Sequence, residues 1–319
     1  MSLLTVENLR TYYFTEKGSV KAVDGVSFSV EKGESLGIAG ESGCGKSTVA
    51  FSIMRLIKGG RIVGGRITLD GTPLLNMPIR DFRRIRWERI SLVSQAAMGA
   101  LNPVYRIGDQ IVEAITTHTK SKKREAWDRA EELLRQVGVD PSRAKNYPHE
   151  LSGGMRQRAM IAMALALSPE LVIADEPTTA LDMVTQAQVL KLTRGLQEEL
   201  NVSIIFISHD LSILGQACDR IIIMYAGKIM EMGDVQALFR EPQHPYTKAL
   251  LSSFPDIKST KRTLTGLPGS PPDLIDPPSG CRFHPRCSQA QSICKVEEPT
   301  TIEVLPKHYV ACHQVKGAS

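Results

Sequence analysis

A short glycine-rich segment constrains the fold of this chain more than any other feature. The run from Gly40 to Thr48 reads GESGCGKST and fits the pattern G-x-x-x-x-G-K-[ST]. It follows a strand-like stretch and precedes a helical one, which is the context in which this pattern binds phosphate. Glycines let successive backbone N–H groups converge on an anion, and the helix adds the positive end of its dipole. The segment predicts a nucleotide phosphate site in an α/β fold.

Residues of this phosphate loop have separate expected roles. Lys46 is predicted to bridge the β- and γ-phosphates, and Ser47 is predicted to ligate Mg²⁺. The remaining members of the predicted cradle are Gly40, Ser42, Gly43, Gly45 and Thr48. A chance glycine-rich turn is the alternative interpretation. A second motif further along the chain argues against it.

That second motif is a pair of acidic residues after an apolar run. Residues 171–174 read LVIA, a pattern typical of a buried strand, and Asp175 and Glu176 follow directly. Ligand sites form at the carboxyl ends of strands in open α/β sheets. We predict that Asp175 holds Mg²⁺ through water and that Glu176 acts on the attacking water as a general base or polarising group.

A third segment separates this chain from other phosphate-loop proteins. Residues 151–157 read LSGGMRQ and resemble the signature of ABC transporter ATPases. The resemblance implies that Ser152, Gly153 and Gly154, at the start of a helix, bind the γ-phosphate of a nucleotide held by the opposite subunit. It therefore implies that two subunits meet head to tail with Mg-ATP between them.

Three further residues resemble the pattern of that family in their order along the chain. Gln95 follows a strand-like run, Asp182 ends the turn Thr179-Ala180-Leu181-Asp182, and His209 follows another apolar run. The resemblance implies that Gln95 senses Mg²⁺ and the lytic water and that Asp182 contacts the partner subunit. It also implies that His209 holds the γ-phosphate and orients Glu176.

An aromatic side chain upstream of the loop is expected to stack on adenine. Tyr12, Tyr13 and Phe14 compete for that role. The offset from Leu9 favours Tyr13, and the alternative is that these rings only pack the small β layer.

The predicted fold class is α/β, with an ABC-type P-loop NTPase core, an antiparallel β subdomain and a helical signature subdomain at about 96–167. Apolar residues between Lys122 and Val137 recur at helical spacing, and Gly138 stands where that helix should stop. Composition shifts near residue 250, where prolines become frequent. We therefore predict a nucleotide-binding domain at 1–250 and a small metal-binding extension at 251–319.

The predicted extension contains four of the six cysteines, Cys281, Cys287, Cys294 and Cys312, at the spacing C-x5-C-x6-C-x17-C. Together with the HPYTKALL run at 244–251, this region resembles the C-terminal extension of dipeptide and oligopeptide ABC ATPase subunits. The resemblance implies a 4Fe–4S cluster on the four thiolates. Zinc is the alternative, although zinc sites usually include tighter cysteine pairs. Free thiols are a third possibility. The metal centre is expected to be structural, because the extension is poor in apolar residues.

Composition excludes several classes of protein. The net charge of +5 is spread along the 319 residues, which argues against a nucleic-acid-binding surface. Apolar runs fall short of the roughly 18 to 20 residues that cross a membrane, and the start lacks the pattern of a secretory signal. We therefore expect a chain that stays in the cytoplasm and associates peripherally with the membrane.

The resemblance implies the ATP-hydrolysing subunit of an ABC importer for dipeptides or oligopeptides. The expected partners are a second ABC ATPase subunit, two transmembrane permeases and an extracytoplasmic substrate-binding protein. The ATPase pair is expected to be a heterodimer, with a homodimer as the alternative. One alternative is an importer ATPase for oligosaccharides or another solute. Another is a soluble ABC ATPase of translation or DNA maintenance. Chains of that kind carry two cassettes or long coiled coils, whereas only about a hundred residues separate Lys46 from Ser152 here.

Overall fold

A computed structural model describes residues 2–94, 100–177, 181–252 and 267–316 of the chain. The chain divides into two compact units, each formed from separated segments. The signature unit contains Ser152 and comprises Met1–Leu3, Val30–Ser35 and Asn76–Ile207. The loop unit contains Lys46 and comprises Leu4–Ser29, Leu36–Leu75 and Ser208–Ser319.

Strands and helices alternate between residues 171 and 225, whereas elements of one kind follow each other at several places elsewhere in the described residues. The strands are β1 (Ser2–Thr15), β2 (Gly18–Glu31), β3 (Ser35–Ala39), β4 (Gly60–Leu69), β5 (Thr72–Pro73), β6 (Ile90–Val93), β7 (Leu171–Asp175), β8 (Ser203–Ile207), β9 (Arg220–Tyr225), β10 (Lys228–Asp234), β11 (Thr301–Leu305) and β12 (His308–Ala311). The helices are α1 (Lys46–Ile53), α2 (Ile79–Glu88), α3 (Ile107–His118), α4 (Lys123–Gln136), α5 (Gly153–Ala164), α6 (Met183–Leu200), α7 (Leu211–Ala217), α8 (Val235–Arg240) and α9 (Pro245–Ser252). Within the described ranges, no helix combines the length and the apolar character needed to cross a bilayer.

The signature unit is built on three parallel strands. β7 lies between β6 and β8, with Leu171 opposite both Ile90 and Ser203. Every residue of β7 and β8 is buried. Burial on both faces explains why these strands are almost continuously apolar in the sequence, as expected for parallel strands.

The helices of the signature unit confirm the periodicity of the sequence around residue 130. α4 buries Ala126, Ala130, Leu133 and Leu134 on one face. The chain reverses at Gly138, whose positive φ of 67° suits a residue without a Cβ. The helical content predicted for this part of the chain is therefore present.

The loop unit contains an antiparallel layer and part of a mixed sheet. The antiparallel layer has the strand order β2-β1-β4-β5, as the sequence predicts for its β-rich start. In the mixed sheet, β3 runs parallel to β9, and β9 pairs antiparallel with β10. β3 delivers the chain directly to Gly40, where the phosphate loop begins.

The C-terminal segment adds two strands to the sheet of the loop unit. β12 pairs antiparallel with β10, with Glu231 opposite Val310, and β11 pairs with β12. The imidazole Nε2 of His308 lies 2.7 Å from Oε1 of Glu231, and both side chains are buried. Strand pairing and this buried contact anchor the segment to the core, which the composition of the segment did not predict.

Candidate nucleotide-binding site

The phosphate loop has the strand–loop–helix form that its sequence predicts. It follows the fully buried β3 and ends where α1 begins at Lys46. Gly40, Gly43 and Gly45 have φ values of 147°, 78° and 105°, a region that residues with a Cβ rarely adopt. The backbone therefore turns tightly around the space in front of α1.

Two of these glycines are also required by close packing. A Cβ on Gly40 would lie 2.2 Å from the carbonyl oxygen of Met224, and one on Gly45 would lie 2.1 Å from that of Ala22. Gly43 has no such neighbour within 4 Å. Neighbouring backbone therefore fixes both ends of the loop but leaves its middle open.

We expect Gly45→Ala to destabilise the protein more than Gly59→Ala does. Both glycines have positive φ, so each substitution costs about 1–2 kcal/mol in backbone strain. Only Gly45 adds a clash with backbone, because a Cβ on Gly59 meets nothing within 4 Å. Urea unfolding of the two variants measures this difference, and equal losses would contradict the packing argument.

Lys46 is the first residue of α1, and backbone oxygens of the loop hold its charge. The side chain is buried, with 7% exposure. Its Nζ donates to the carbonyl oxygen of Gly40 at 2.7 Å and to that of Glu41 at 3.0 Å. A buried ammonium group held within the loop provides the cationic centre that a polyphosphate requires.

The three candidate aromatic residues have different surroundings. Tyr13 Oη lies 3.3 Å from Oγ1 of Thr48 in α1. Tyr12 donates to Oδ1 of Asp24 at 2.8 Å, and Phe14 is 47% exposed under the guanidinium of Arg61. The contact with Thr48 favours Tyr13 as the ring nearest the phosphate loop.

The two carboxylates predicted to hold Mg²⁺ and to act on the attacking water, Asp175 and Glu176, lie at the end of β7. Asp175 is 2% exposed and is the last residue of the strand. Glu176 follows with φ of 47°, and its N–H donates to the carbonyl oxygen of Ile207 at 2.8 Å. A non-glycine residue with positive φ carries strain that surrounding structure must compensate, and such strain is frequent at active sites.

The signature segment begins α5 as its sequence predicts. The Oγ of Ser152 accepts from the N–H of Met155 at 3.3 Å, so Ser152 caps the helix while remaining exposed. Gly154 lies against α6, since a Cβ there would be 2.6 Å from Cγ2 of Thr185. The predicted anion-binding helix start is therefore accessible.

Asp182 caps the neighbouring helix α6. Its carboxylate accepts from the N–H of Thr185 at 2.9 Å and from Oγ1 of the same residue at 2.7 Å. These hydrogen bonds hold the pKa of Asp182 below its ordinary value. The side chain is exposed. Its predicted role in a subunit contact therefore requires no rearrangement of a buried group.

His209 lies between a buried serine and the start of α7. Ser208 is buried, and its Oγ accepts from the N–H of Asp210 at 3.0 Å. Asp210 in turn caps α7 by accepting from the N–H of Ser212 at 2.8 Å. These bonds fix the backbone on both sides of His209, whose own side chain is exposed. Gln95, Thr179 and Ala180 lie outside the described residues.

Two residues that sequence reasoning did not place at the site contact the phosphate loop. Tyr246 Oη accepts from the N–H of Glu41 at 3.1 Å. Arg286 forms an ion pair with the carboxylate of Glu41. Tyr246 lies in the run HPYTKALL and Arg286 in the run CRFHPRC. Both runs resemble the C-terminal extension of the family, and this resemblance is the sequence signal that points to these two residues.

Comparison with known proteins agrees with these motifs. Residues 23–179 match the family model described as ABC transporter, and residues 230–294 match the one described as oligopeptide/dipeptide transporter, C-terminal region. A probable peptide ABC transporter ATP-binding protein of Sinorhizobium fredii is 47% identical over 97% of this chain and 94% of its own length. The chain belongs to the ABC transporter ATP-binding protein family.

Other members of the ABC transporter family extend this comparison. The oligopeptide transport ATP-binding protein AppD of Bacillus subtilis is 46% identical over 99% of this chain and 98% of its own length. The dimeric structure of the ATP-binding cassette MJ0796, in a post-hydrolysis state bound to ADP and Pi, superposes with a TM-score of 0.66 at 27% identity. The match covers 73% of this chain and 98% of the cassette.

The predicted metal centre of this ABC protein is not present as a formed ligand set. Among the described residues, no group of three or more His, Cys, Asp or Glu side chains is arranged to hold a metal ion. Cys281 and Cys294 are buried, whereas Cys287 and Cys312 are half-buried. The pKa of Cys281 is raised to about 11, mainly because the thiol is buried and also because of the charges of the other three cysteines. The 4Fe–4S cluster that the resemblance implies is therefore not supported by an arranged ligand set among the described residues.

Proposed function

We propose that this chain is the ATP-hydrolysing subunit of an ABC importer for dipeptides or oligopeptides. The observation that carries the proposal is the match of one chain to both the ABC transporter model and the oligopeptide/dipeptide C-terminal region. Relatives named for peptide transport align over nearly the whole chain. No observation favours oligosaccharides or a role outside transport.

The proposed chemistry is hydrolysis of Mg-ATP. The donor set fits ATP, because Lys46 places a buried cation within the loop and the position of a Cβ on Gly43 has no atom within 4 Å. Ser47, Gln95 and Asp175 would hold Mg²⁺, whose bound charge would stabilise the leaving phosphate. Glu176 would act on the lytic water, with His209 holding the γ-phosphate.

Two such subunits are proposed to form each complete ATP site. The signature residue Ser152 and the capping residue Asp182 are both exposed, which leaves them accessible to a second subunit. The related MJ0796 cassette was solved as a dimer. The expected assembly is a heterodimer with a related ATPase, bound at the cytoplasmic face of two permeases and supplied by an extracytoplasmic binding protein.

Affinity purification from the host membrane in mild detergent tests this assignment. A tag on this chain is expected to recover two permeases and a second ABC ATPase, with ATP hydrolysis by the assembly. Recovery of ribosomes or DNA without permeases would support the soluble alternative and contradict the importer assignment.

We also propose that Cys281, Cys287, Cys294 and Cys312 hold a 4Fe–4S cluster, with zinc as the alternative. Support comes from the thiol chemistry of four cysteines and from the hydrogen bond of 2.9 Å that the N–H of Cys281 donates to the carbonyl oxygen of Cys294, not from an arranged ligand set. Anaerobically purified protein is expected to contain iron and acid-labile sulfide in about equal amounts, close to four each per chain. Zinc or no metal would contradict the cluster.

Cys287→Ser is expected to make the extension more sensitive to protease, because a structural metal would lose one ligand. Nucleotide binding should remain if the loop keeps its shape. Limited proteolysis measures the effect, with Cys218→Ser as a control, since Cys218 is a buried residue outside the extension. Unchanged digestion of Cys287→Ser would contradict a structural metal.

A further inference from the structure

Glu41, the second residue of the phosphate loop, is held by residues from distant parts of the chain. Its carboxylate accepts two hydrogen bonds from Arg286, from Nη1 to Oε2 at 2.6 Å and from Nη2 to Oε1 at 3.0 Å. Its backbone N–H donates to Oη of Tyr246 at 3.1 Å. Both the side chain and the backbone of this loop residue are therefore fixed from outside the loop.

Arg286 is itself rigidly placed. Its side chain is only 7% exposed. Nε donates to the carbonyl oxygen of Pro268 at 2.8 Å, and Nη1 donates to Oη of Tyr225 at 3.3 Å. A bidentate arginine–carboxylate pair has a defined geometry, and low exposure limits screening by solvent. This pair is therefore unlike the mobile ion pairs of an open surface.

Tyr246 belongs to an aromatic cluster, formed by Tyr225, Tyr246 and Phe283. The ring centroids of Tyr225 and Tyr246 are 4.8 Å apart, and each lies 5.2 Å from that of Phe283. All three side chains are buried. Phe283 lies between Cys281 and Cys287, so the cluster packs the cysteine segment against α9 and β9.

The phosphate loop benefits from such support because its own middle is unconfined. Gly43 has φ of 78° and no atom within 4 Å of the position of a Cβ. A loop rich in glycine loses much conformational entropy when it closes on a ligand. Contacts that fix the loop before the ligand arrives reduce this cost and increase affinity.

We propose that Arg286 and Tyr246 position the phosphate loop through Glu41, so that the C-terminal segment sets the affinity of the ATPase for nucleotide. This inference rests on the proposed function of the loop in binding ATP. Arg286 and Tyr246 are positioning residues, because they act through Glu41 and not on the nucleotide. The alternative is that the same contacts only attach the C-terminal segment to the core.

Titration of the purified full-length chain with a fluorescent ATP analogue tests the proposal. Arg286→Gln leaves the carboxylate without its partner and is expected to raise Kd about tenfold. Arg286→Lys keeps the charge but not the paired geometry, so its Kd should fall between those of the wild type and Arg286→Gln. Turnover at saturating ATP should change less than about twofold, because the reacting groups are untouched.

A double-mutant cycle separates the proposed contact from general damage. Glu41→Gln combined with Arg286→Gln should bind no more weakly than Arg286→Gln alone, because both variants remove one interaction. Glu298→Gln is the matched control. It breaks the 2.6 Å ion pair between Glu298 of the same C-terminal segment and Lys228, which does not involve the loop. Its Kd should equal that of the wild type.

The outcomes separate this inference from the proposed function. A wild-type chain that binds no ATP would overturn the proposed function and the inference with it. Normal wild-type binding with an unchanged Kd in Arg286→Gln, or an equal loss in Glu298→Gln, would overturn the inference alone. If Arg286→Gln fails to fold, the Glu41→Gln variant tests the inference in its place. Faster amide exchange over 40–46 in that variant supports the inference, and unchanged exchange with unchanged Kd overturns it.

Discussion

Replacing Glu176 with Gln is expected to lower ATP turnover at least about a hundredfold while ATP binding survives. The carboxylate is placed immediately after β7, on a backbone held at φ of 47° by its bond to Ile207. Glutamine has nearly the same shape but cannot accept a proton from water. The substitution therefore removes the proposed chemical step without disturbing the strand that positions it.

The same variant is expected to accumulate as an ATP-bound dimer. Closure of two subunits on ATP requires binding, whereas reopening requires hydrolysis. Light scattering after size exclusion in saturating Mg-ATP measures the dimer, and phosphate release measures turnover. Glu198→Gln, an exposed position on α6, is the control and should hydrolyse ATP normally. A Glu176→Gln chain that forms no ATP-bound dimer, either with itself or with the related ATPase subunit, or that retains full turnover would contradict the assigned role.

Replacing Lys46 with Ala is expected to weaken ATP binding by about 2–5 kcal/mol, more than about thirtyfold in Kd. The loss is large because the ammonium group is buried and already directed at the loop by its bonds to Gly40 and Glu41. No other cation among the described loop residues from 40 to 48 can replace it. Phosphate oxygens would then be desolvated without a counter-charge.

Lys58→Ala provides the matched control for this prediction. Lys58 is exposed and follows α1 by a few residues, so its charge lies outside the loop. Isothermal titration with ATP in the presence of EDTA separates the lysine contribution from that of Mg²⁺. An equal loss of ATP affinity in Lys46→Ala and Lys58→Ala would indicate a general electrostatic effect. An unchanged Kd in Lys46→Ala would exclude Lys46 from the phosphate site.

Much of the fold was predictable because short stretches of sequence determine it. The apolar runs that form β7 and β8 predict strands buried on both faces, because successive residues of a strand point to opposite faces and almost all of them are apolar. The helix starts at Ser152 and Asp182 follow from local capping chemistry. Gly40 and Gly45 have φ values of 147° and 105°, which favour glycine at these positions of the loop. In each case the cause lies within a few residues of the effect.

Contacts between distant residues were not predictable in the same way. Glu41 and Arg286 are 245 positions apart, and Glu231 and His308 are 77 apart. Nothing in either local sequence specifies the partner. The pairing of β12 with β10 has the same origin, because a strand of only four residues is compatible with many neighbours.

The cysteines show where spacing is a weak guide. The interval between cysteines limits which metal sites are possible, but ligand geometry depends on how the chain turns between them. The structure joins the backbone of Cys281 to that of Cys294 by a hydrogen bond of 2.9 Å and provides a different anchor, strand β12 and the contact of His308 with Glu231. A metal is therefore not required to explain why the segment adheres to the core.

Peptide uptake by the purified transporter in proteoliposomes tests the central claim most directly. The assembly recovered through a tag on this chain would be reconstituted with ATP inside and peptide-loaded binding protein outside, in the orientation of an importer. We predict accumulation of labelled tripeptide that requires ATP and disappears with Glu176→Gln. Uptake that is independent of ATP, or unchanged by Glu176→Gln, would contradict the account.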